Sequence, residues 1–101
     1  KKGISAEVID LRVLNPFHPE EVIKSVTRTG RLLAVDGGWG PCGVAAEVIA
    51  SVSEFVSPHL IKSPPVRVTI PFAPAPTASN LESVYYPTVD LVIRKAEMLC
   101  E

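Results

Sequence analysis

Apolar positions along the chain recur with two periods, and the switches between them predict the elements. Val8, Ile9 and Leu11 within residues 5–11 predict a short first strand. The stretch Asn15-Pro16-Phe17-His18-Pro19 follows, and its two prolines break regular structure. Val22, Ile23 and Val26 then recur at helical spacing, while Lys24 and Arg28 fall on the other side. Pro19 suits the first helical position, Glu20 and Glu21 complement the positive helix end, and Gly30 supplies a stop. Residues 31–36 predict a second strand, whose run Leu32-Leu33-Ala34-Val35 suits a parallel strand covered on both faces. A second helix spans 43–55, with Val44, Ala45, Val48, Ile49, Val52 and Phe55 as one broad apolar face. Val66-Arg67-Val68-Thr69-Ile70 is β-branched and short, a third strand closed by Pro71. Residues 72–81 read as a semi-rigid, polyproline-like connection. A last helix begins near Tyr86-Pro87-Thr88 and carries Val89, Val92, Ile93, Ala96, Leu99 and Cys100 on one side. Its Asp90 and Arg94 are spaced to pair one turn apart.

Strands alternating with helices predict a three-layer α/β/α sandwich around a mainly parallel sheet. The chain is organised around the run from Val35 to Glu47. There an apolar strand reaches Asp36, and four glycines, Trp39, Pro41 and Cys42 fill the next seven positions before helical periodicity resumes at Val44. A strand, a sharp crossover turn and a helix in that order place the turn at the sheet edge where α/β folds carry function. Glycines there allow positive φ and close approach by another chain or a ligand.

Composition narrows the function classes. The chain has 101 residues, room for a single domain with one modest core. A net charge of −1 leaves no electrostatic footprint for nucleic acid. No apolar run approaches the length of a membrane span, and no cationic stretch leads into an apolar one as in a signal peptide. Cys42 and Cys100 are too few for a disulfide framework or a zinc site, so a reducing compartment is the default. Six of the ten prolines lie from Pro64 to Pro87, marking one long connection. Lys1-Lys2-Gly3 reads as a helix ending, and a three-stranded sheet has bare edges. Both features predict a piece of a longer polypeptide.

The candidate chemistry is sparse. Trp39 is either an interface anchor or a cover for the strand end. Cys42, near a helix start, could carry a reactive thiol, but no base or resolving thiol adjoins it, and a small residue in a tight turn is the simpler reading. His18 precedes a helix and His59 sits in a proline-bracketed loop, where surface or capping roles outweigh general-base roles. The glycine turn lacks both the Gly-x-Gly-x-x-Gly and Walker spacings for phosphate. Three classes of function stand: an assembly domain, a free-standing flavodoxin-like module binding an anionic ligand, and a thiol enzyme using Cys42.

Gly3-Ile4-Ser5-Ala6-Glu7-Val8-Ile9-Asp10-Leu11-Arg12, then Thr29-Gly30-Arg31-Leu32-Leu33, then Gly37-Gly38-Trp39 leading into Gly43-Val44-Ala45-Ala46-Glu47, carry a resemblance across essentially the whole chain. With Pro71-Phe72-Ala73-Pro74-Ala75-Pro76 and Tyr86-Pro87-Thr88-Val89, they resemble the C-terminal domain of transketolase-type enzymes. The nearest branch is the β subunit of 2-oxo-acid dehydrogenase first components of the pyruvate, branched-chain and acetoin types. The resemblance implies a five-stranded mixed sheet in a three-layer sandwich, with residues 1–101 forming one truncated domain that lacks the first strand and helix. It also implies a parent enzyme that uses thiamine diphosphate and magnesium, both held outside this chain, to decarboxylate a 2-oxo acid and pass an acyl group to a lipoyl arm. No catalytic, cofactor-binding or metal-binding residue is expected here.

The implied partners are the α subunit, a second β subunit and a dihydrolipoyl acyltransferase core, in the bacterial cytoplasm or the mitochondrial matrix. The resemblance places the contacts at Trp39, Cys42, Val44, Ala45, Glu47, Lys62 and Phe72. Two positions depart from the family pattern. Lys62 stands where relatives often carry an acid, and Phe72 where an aspartate is common. The core's binding domain is usually basic, so Lys62 implies weaker or rearranged docking at that edge.

Overall fold

The computed structural model describes residues 3–71 and 73–101. Its elements in order are α1 (Glu20–Thr29), β1 (Leu33–Trp39), α2 (Val44–Phe55), a 3₁₀ turn (Pro58–Leu60), β2 (Val66–Ile70), α3 (Ser79–Tyr85) and α4 (Val89–Leu99). β1 and β2 pair in parallel, with Leu33 opposite Val66 and Val35 opposite Val68. The β1–α2–β2 crossover is the unit that parallel pairing requires.

α1 forms where the helical period predicted it. Pro19 is its N-cap rather than its first residue, and Glu20 and Glu21 occupy the first turn. Gly30 closes it in the left-handed region at φ 75°, donating its N–H to the Val26 carbonyl at 2.7 Å. A side chain there would also strike the Leu60 carbonyl, 2.7 Å from where a Cβ would sit. The core lies between α1 and α2: Val22, Val26, Val48, Val52 and Val56 are buried, and Ile9, Leu11, Phe17 and Leu32 pack against them. Burying each large apolar side chain is worth about 1.5–3 kcal/mol, and this cluster fixes both helices on one face of the strands. α4 packs against both strands and contributes nothing to that cluster, which places it on the opposite face. The three layers and the parallel pairing therefore stand as expected.

Several boundaries differ from the sequence reading. Residues 5–11 form no strand among the described residues, and no backbone hydrogen bond joins them to another segment there. They are held by side chains: Ile9 and Leu11 reach the core, and Glu7 accepts a hydrogen bond from Arg28 of α1. β1 does not stop at Asp36 but runs to Trp39, across a bulge between Val35 and Trp39. Gly37 and Gly38 sit in that irregularity, where strand glycines are common. Val35 is half exposed, so β1 is not covered on both faces.

On α2 the buried stripe is Ala45, Val48, Val52 and, beyond the last turn, Val56. Phe55 lies off this stripe and is 66% exposed, contrary to its expected place on the buried face. The connection after Pro71 contains the short helix α3, which the proline spacing concealed. α4 begins where predicted, with the Thr88 hydroxyl oxygen accepting the Leu91 N–H at 3.1 Å as N-cap. Asp90 and Arg94 do not form the expected ion pair. Val89 and Ile93, expected on the apolar side, are exposed, while Leu99 is buried. No helix of the described residues is long and apolar enough to cross a membrane.

The surface is larger than the mass requires. The chain exposes 7216 Å², against about 5,600 Å² for a closed monomer of this mass.

Candidate functional site

The site is the crossover turn between β1 and α2, together with the side chains that lock it. Asp36 opens it: its Oδ1 accepts the Gly38 N–H at 3.0 Å, a local turn contact of the kind aspartate favours. Gly43 closes it as the N-cap of α2. A Cβ at Gly43 would stand 2.0 Å from the Trp39 carbonyl oxygen, so only glycine fits. None of the turn's glycines takes a positive φ. The left-handed residue is Cys42, at φ 58°. The glycines thus serve close approach, and Cys42 carries the unusual backbone conformation, exposed and reduced.

Two neighbouring elements hold this turn from outside. Arg67 of β2 donates from Nη1 to the Gly40 carbonyl at 2.7 Å. Trp39, at the end of β1, donates its indole N–H to the Tyr85 hydroxyl at 3.4 Å. That hydroxyl donates in turn to the Ala73 carbonyl at 2.5 Å. The chain of contacts ties the strand end, α3 and the proline-rich connection together. Tyr85 is buried, and its ring meets Tyr86 edge-on at 4.9 Å. Sequence reasoning passed over Tyr85 and Arg67. The spacing of an arginine on a β-branched strand held no signal for the turn, and Tyr85 lay in a helix hidden by prolines.

The predicted contact residues do not share one surface. Trp39 and Cys42 lie on the turn, with Trp39 44% exposed. Glu47 is exposed one turn into α2. Val44 is half-buried against the core cluster. Ala45 is buried within this domain, which makes it a packing position rather than part of the outer surface. Lys62 is remote from the turn: its N–H donates to the Gly30 carbonyl at 2.8 Å, and its side chain lies over Gly30 at the end of α1. Phe72 lies outside the described residues.

The titratable groups are spread out. Glu7 is held below the usual carboxylate range chiefly by a hydrogen bond from the Ser25 side chain; burial opposes this, and the Arg28 guanidinium lowers it further. His59 Nδ1 shares a hydrogen bond with the Ser57 hydroxyl at 2.7 Å, in the 3₁₀ turn far in sequence from the glycine turn. Among the described residues, no three His, Cys, Asp or Glu side chains gather so as to hold a metal ion. The turn therefore offers an aromatic edge, a rigid backbone and an exposed helix start. These are features of a contact surface.

Comparison with known proteins agrees across nearly the whole chain. The family model for the transketolase C-terminal domain matches residues 1–92. Among similar proteins, the mitochondrial pyruvate dehydrogenase E1 component subunit beta of Chaetomium thermophilum is 42% identical over 92 residues, 91% of this chain and 24% of that protein. The rat protein of the same name is 40% identical over 93 residues, covering 92% and 26%. The Dictyostelium discoideum one is 34% identical over 101 residues, covering 100% and 28%. The chain spans about a quarter of the length of these relatives. A sandwich of parallel strands and helices, a glycine turn fixed by a tryptophan, and a match through residue 92 converge: the chain belongs to the transketolase C-terminal domain family.

Proposed function

We propose that this chain is the assembly domain of the β subunit of a mitochondrial pyruvate dehydrogenase E1 component. The observation that carries this reading is the 34–42% identity, along nine-tenths or more of the chain, to proteins of that name. The aromatic crossover turn, with Trp39 partly exposed and tied to Tyr85, supports it. In this reading the oxidative decarboxylation belongs to the assembled enzyme. Thiamine diphosphate and magnesium are then held by other parts of that enzyme. The domain's work is mechanical: it holds a second β subunit and the α subunit in place and offers an edge to the acyltransferase core.

The test uses the full β subunit with its α partner. Trp39→Ala removes the aromatic at the turn, and loss of a central aromatic anchor weakens association by about tenfold or more. Sedimentation velocity across a dilution series reads that change. Unchanged assembly would overturn the role given to the turn. Acylation of a lipoyl domain with pyruvate, compared with branched-chain 2-oxo acids, tests the substrate assignment. Activity confined to the branched-chain acids would overturn it.

A further inference from the structure

A cleft of about 840 Å³ is lined by residues 4–12 and by Leu33 to Asp36 of β1. A modifiable hydroxyl lies outside it, on the turn that leaves α2.

Two serines are followed directly by proline, in Ser57-Pro58 and Ser63-Pro64. Proline restricts the residue before it to extended backbone. Ser57 obeys, at φ −62° and ψ 134°. Val56 before it is also extended, at φ −105° and ψ 129°, and its buried side chain is the last anchor at this end of α2. From there the chain lies at the surface: Ser57 is partly exposed, and Pro58, His59 and Leu60 are exposed. A protein kinase takes its acceptor on an extended surface segment, and one class of kinases selects proline at the position that follows.

The two Ser-Pro steps differ in how the chain around them is held. The turn after Ser57 closes on itself: Leu60 N–H donates to the Ser57 carbonyl at 3.0 Å, and Ile61 N–H to the Pro58 carbonyl at 3.1 Å. Exposed backbone bonds of this local kind open at low cost. Around Ser63 the bonds cross to other segments. Lys62 N–H donates to the Gly30 carbonyl at 2.8 Å, and Val66 N–H to the Leu32 carbonyl at 3.1 Å. Drawing Ser63 into a kinase would pull on the end of α1 and on the sheet.

His59 completes the arrangement, with its Nδ1 2.7 Å from the Ser57 Oγ. A phosphoryl group on that oxygen carries close to two negative charges and three strong acceptor oxygens. Those oxygens sit one bond beyond Oγ, within reach of the imidazole, whose Nδ1–H donates a charge-assisted hydrogen bond. The preceding helix offers no such cation. The last turn of α2 has no basic residue and includes Glu54, and a helix C-terminus disfavours an anion.

We propose that Ser57 is a phosphorylation site for a proline-directed protein kinase and that His59 holds the phosphate. In the transfer the Ser57 oxygen bonds to the γ-phosphorus of a nucleoside triphosphate. The bond from that phosphorus to its bridging oxygen breaks, and the nucleoside diphosphate leaves with the electron pair. The hydroxyl proton passes to the base of the kinase. The inference rests on this turn and is independent of the enzyme assignment.

Incubating the full, folded chain with a purified proline-directed kinase and magnesium ATP tests it, with the modified residue located by tandem mass spectrometry. Phosphate on Ser57 is expected, and its loss in Ser57→Ala. Phosphate on Ser63 alone, on neither serine, or on Ser57 only after heat unfolding overturns the proposal. The site is located in the wild type, so a Ser57→Ala chain that fails to fold leaves that result decisive. Phosphorus NMR then reads the role of His59. The phospho-Ser57 resonance is expected to move in His59→Ala at the same pH, and an unmoved resonance rejects His59 as the holder of the phosphate.

Discussion

The Trp39 indole and the Ala73 carbonyl, 34 positions apart in sequence, are joined through one atom, the Tyr85 hydroxyl, which accepts from the first at 3.4 Å and donates to the second at 2.5 Å. The tyrosine is buried, so water does not readily replace what it supplies. Tyr85→Phe keeps the ring and removes both contacts. Each hydrogen bond is worth about 0.5–1.5 kcal/mol net, and each kcal/mol moves the midpoint of a domain this size by about 4–8 °C. Thermal unfolding followed by circular dichroism should show a fall in that range. An unshifted midpoint would mean that the hydroxyl does not bridge the two segments.

Two of the glycines in the crossover turn, Gly40 and Gly43, should respond differently to a methyl group. At Gly43 the added carbon meets the Trp39 backbone carbonyl at 2.0 Å, and the turn must open. At Gly40 it meets the side chains of Thr69 and Arg67 at 3.3–3.4 Å, which can shift. Gly43→Ala is expected to cost well over about 1 kcal/mol and Gly40→Ala less. Denaturant titration of both variants checks the order, and a reversed order would contradict the turn geometry.

Acid should loosen the first segment from α1. Glu7 has a folded pKa below its unfolded value, so its stabilising contribution is fully present above the unfolded pKa, about 4.3. It is lost as pH falls through the lower folded value. Between pH 5 and 3 the wild type should lose stability more steeply than Glu7→Gln, which has no carboxylate to protonate. Parallel profiles for the two proteins would show that the Ser25 and Arg28 contacts do not persist in solution.

α2 supplies a paired comparison. Val52 is 1% exposed and central to the core, whereas Phe55 is 66% exposed. Val52→Ala should cost about 1–3 kcal/mol as a cavity-forming change, while Phe55→Ala in the isolated chain should stay within about 0.5 kcal/mol. A larger cost at Phe55 than at Val52 in the isolated chain would place the core elsewhere.

Periodicity made the main helices and β2 legible, because their buried positions recur at the spacing their own geometry demands. Val22, Val26, Val48 and Val52 are such positions. The pattern failed where one face of an element lacks its covering layer. Val35 and Val89 are apolar yet exposed, and nothing local distinguishes them from core valines. Residues 5–11 have the composition of a strand, but pairing is a property of two segments and cannot be read from one. The glycine turn was located correctly and misjudged in detail: Cys42, not a glycine, bears the positive φ. Trp39, expected to contact another subunit, and Lys62, expected at the docking edge, lie at separate places in the fold.

Ile4 and Cys100, 96 positions apart in sequence, border the same cleft. A bulky label attached at either residue would crowd that opening, and two such labels would crowd each other. Labels for tracking this protein are better carried at exposed residues that do not line the cleft.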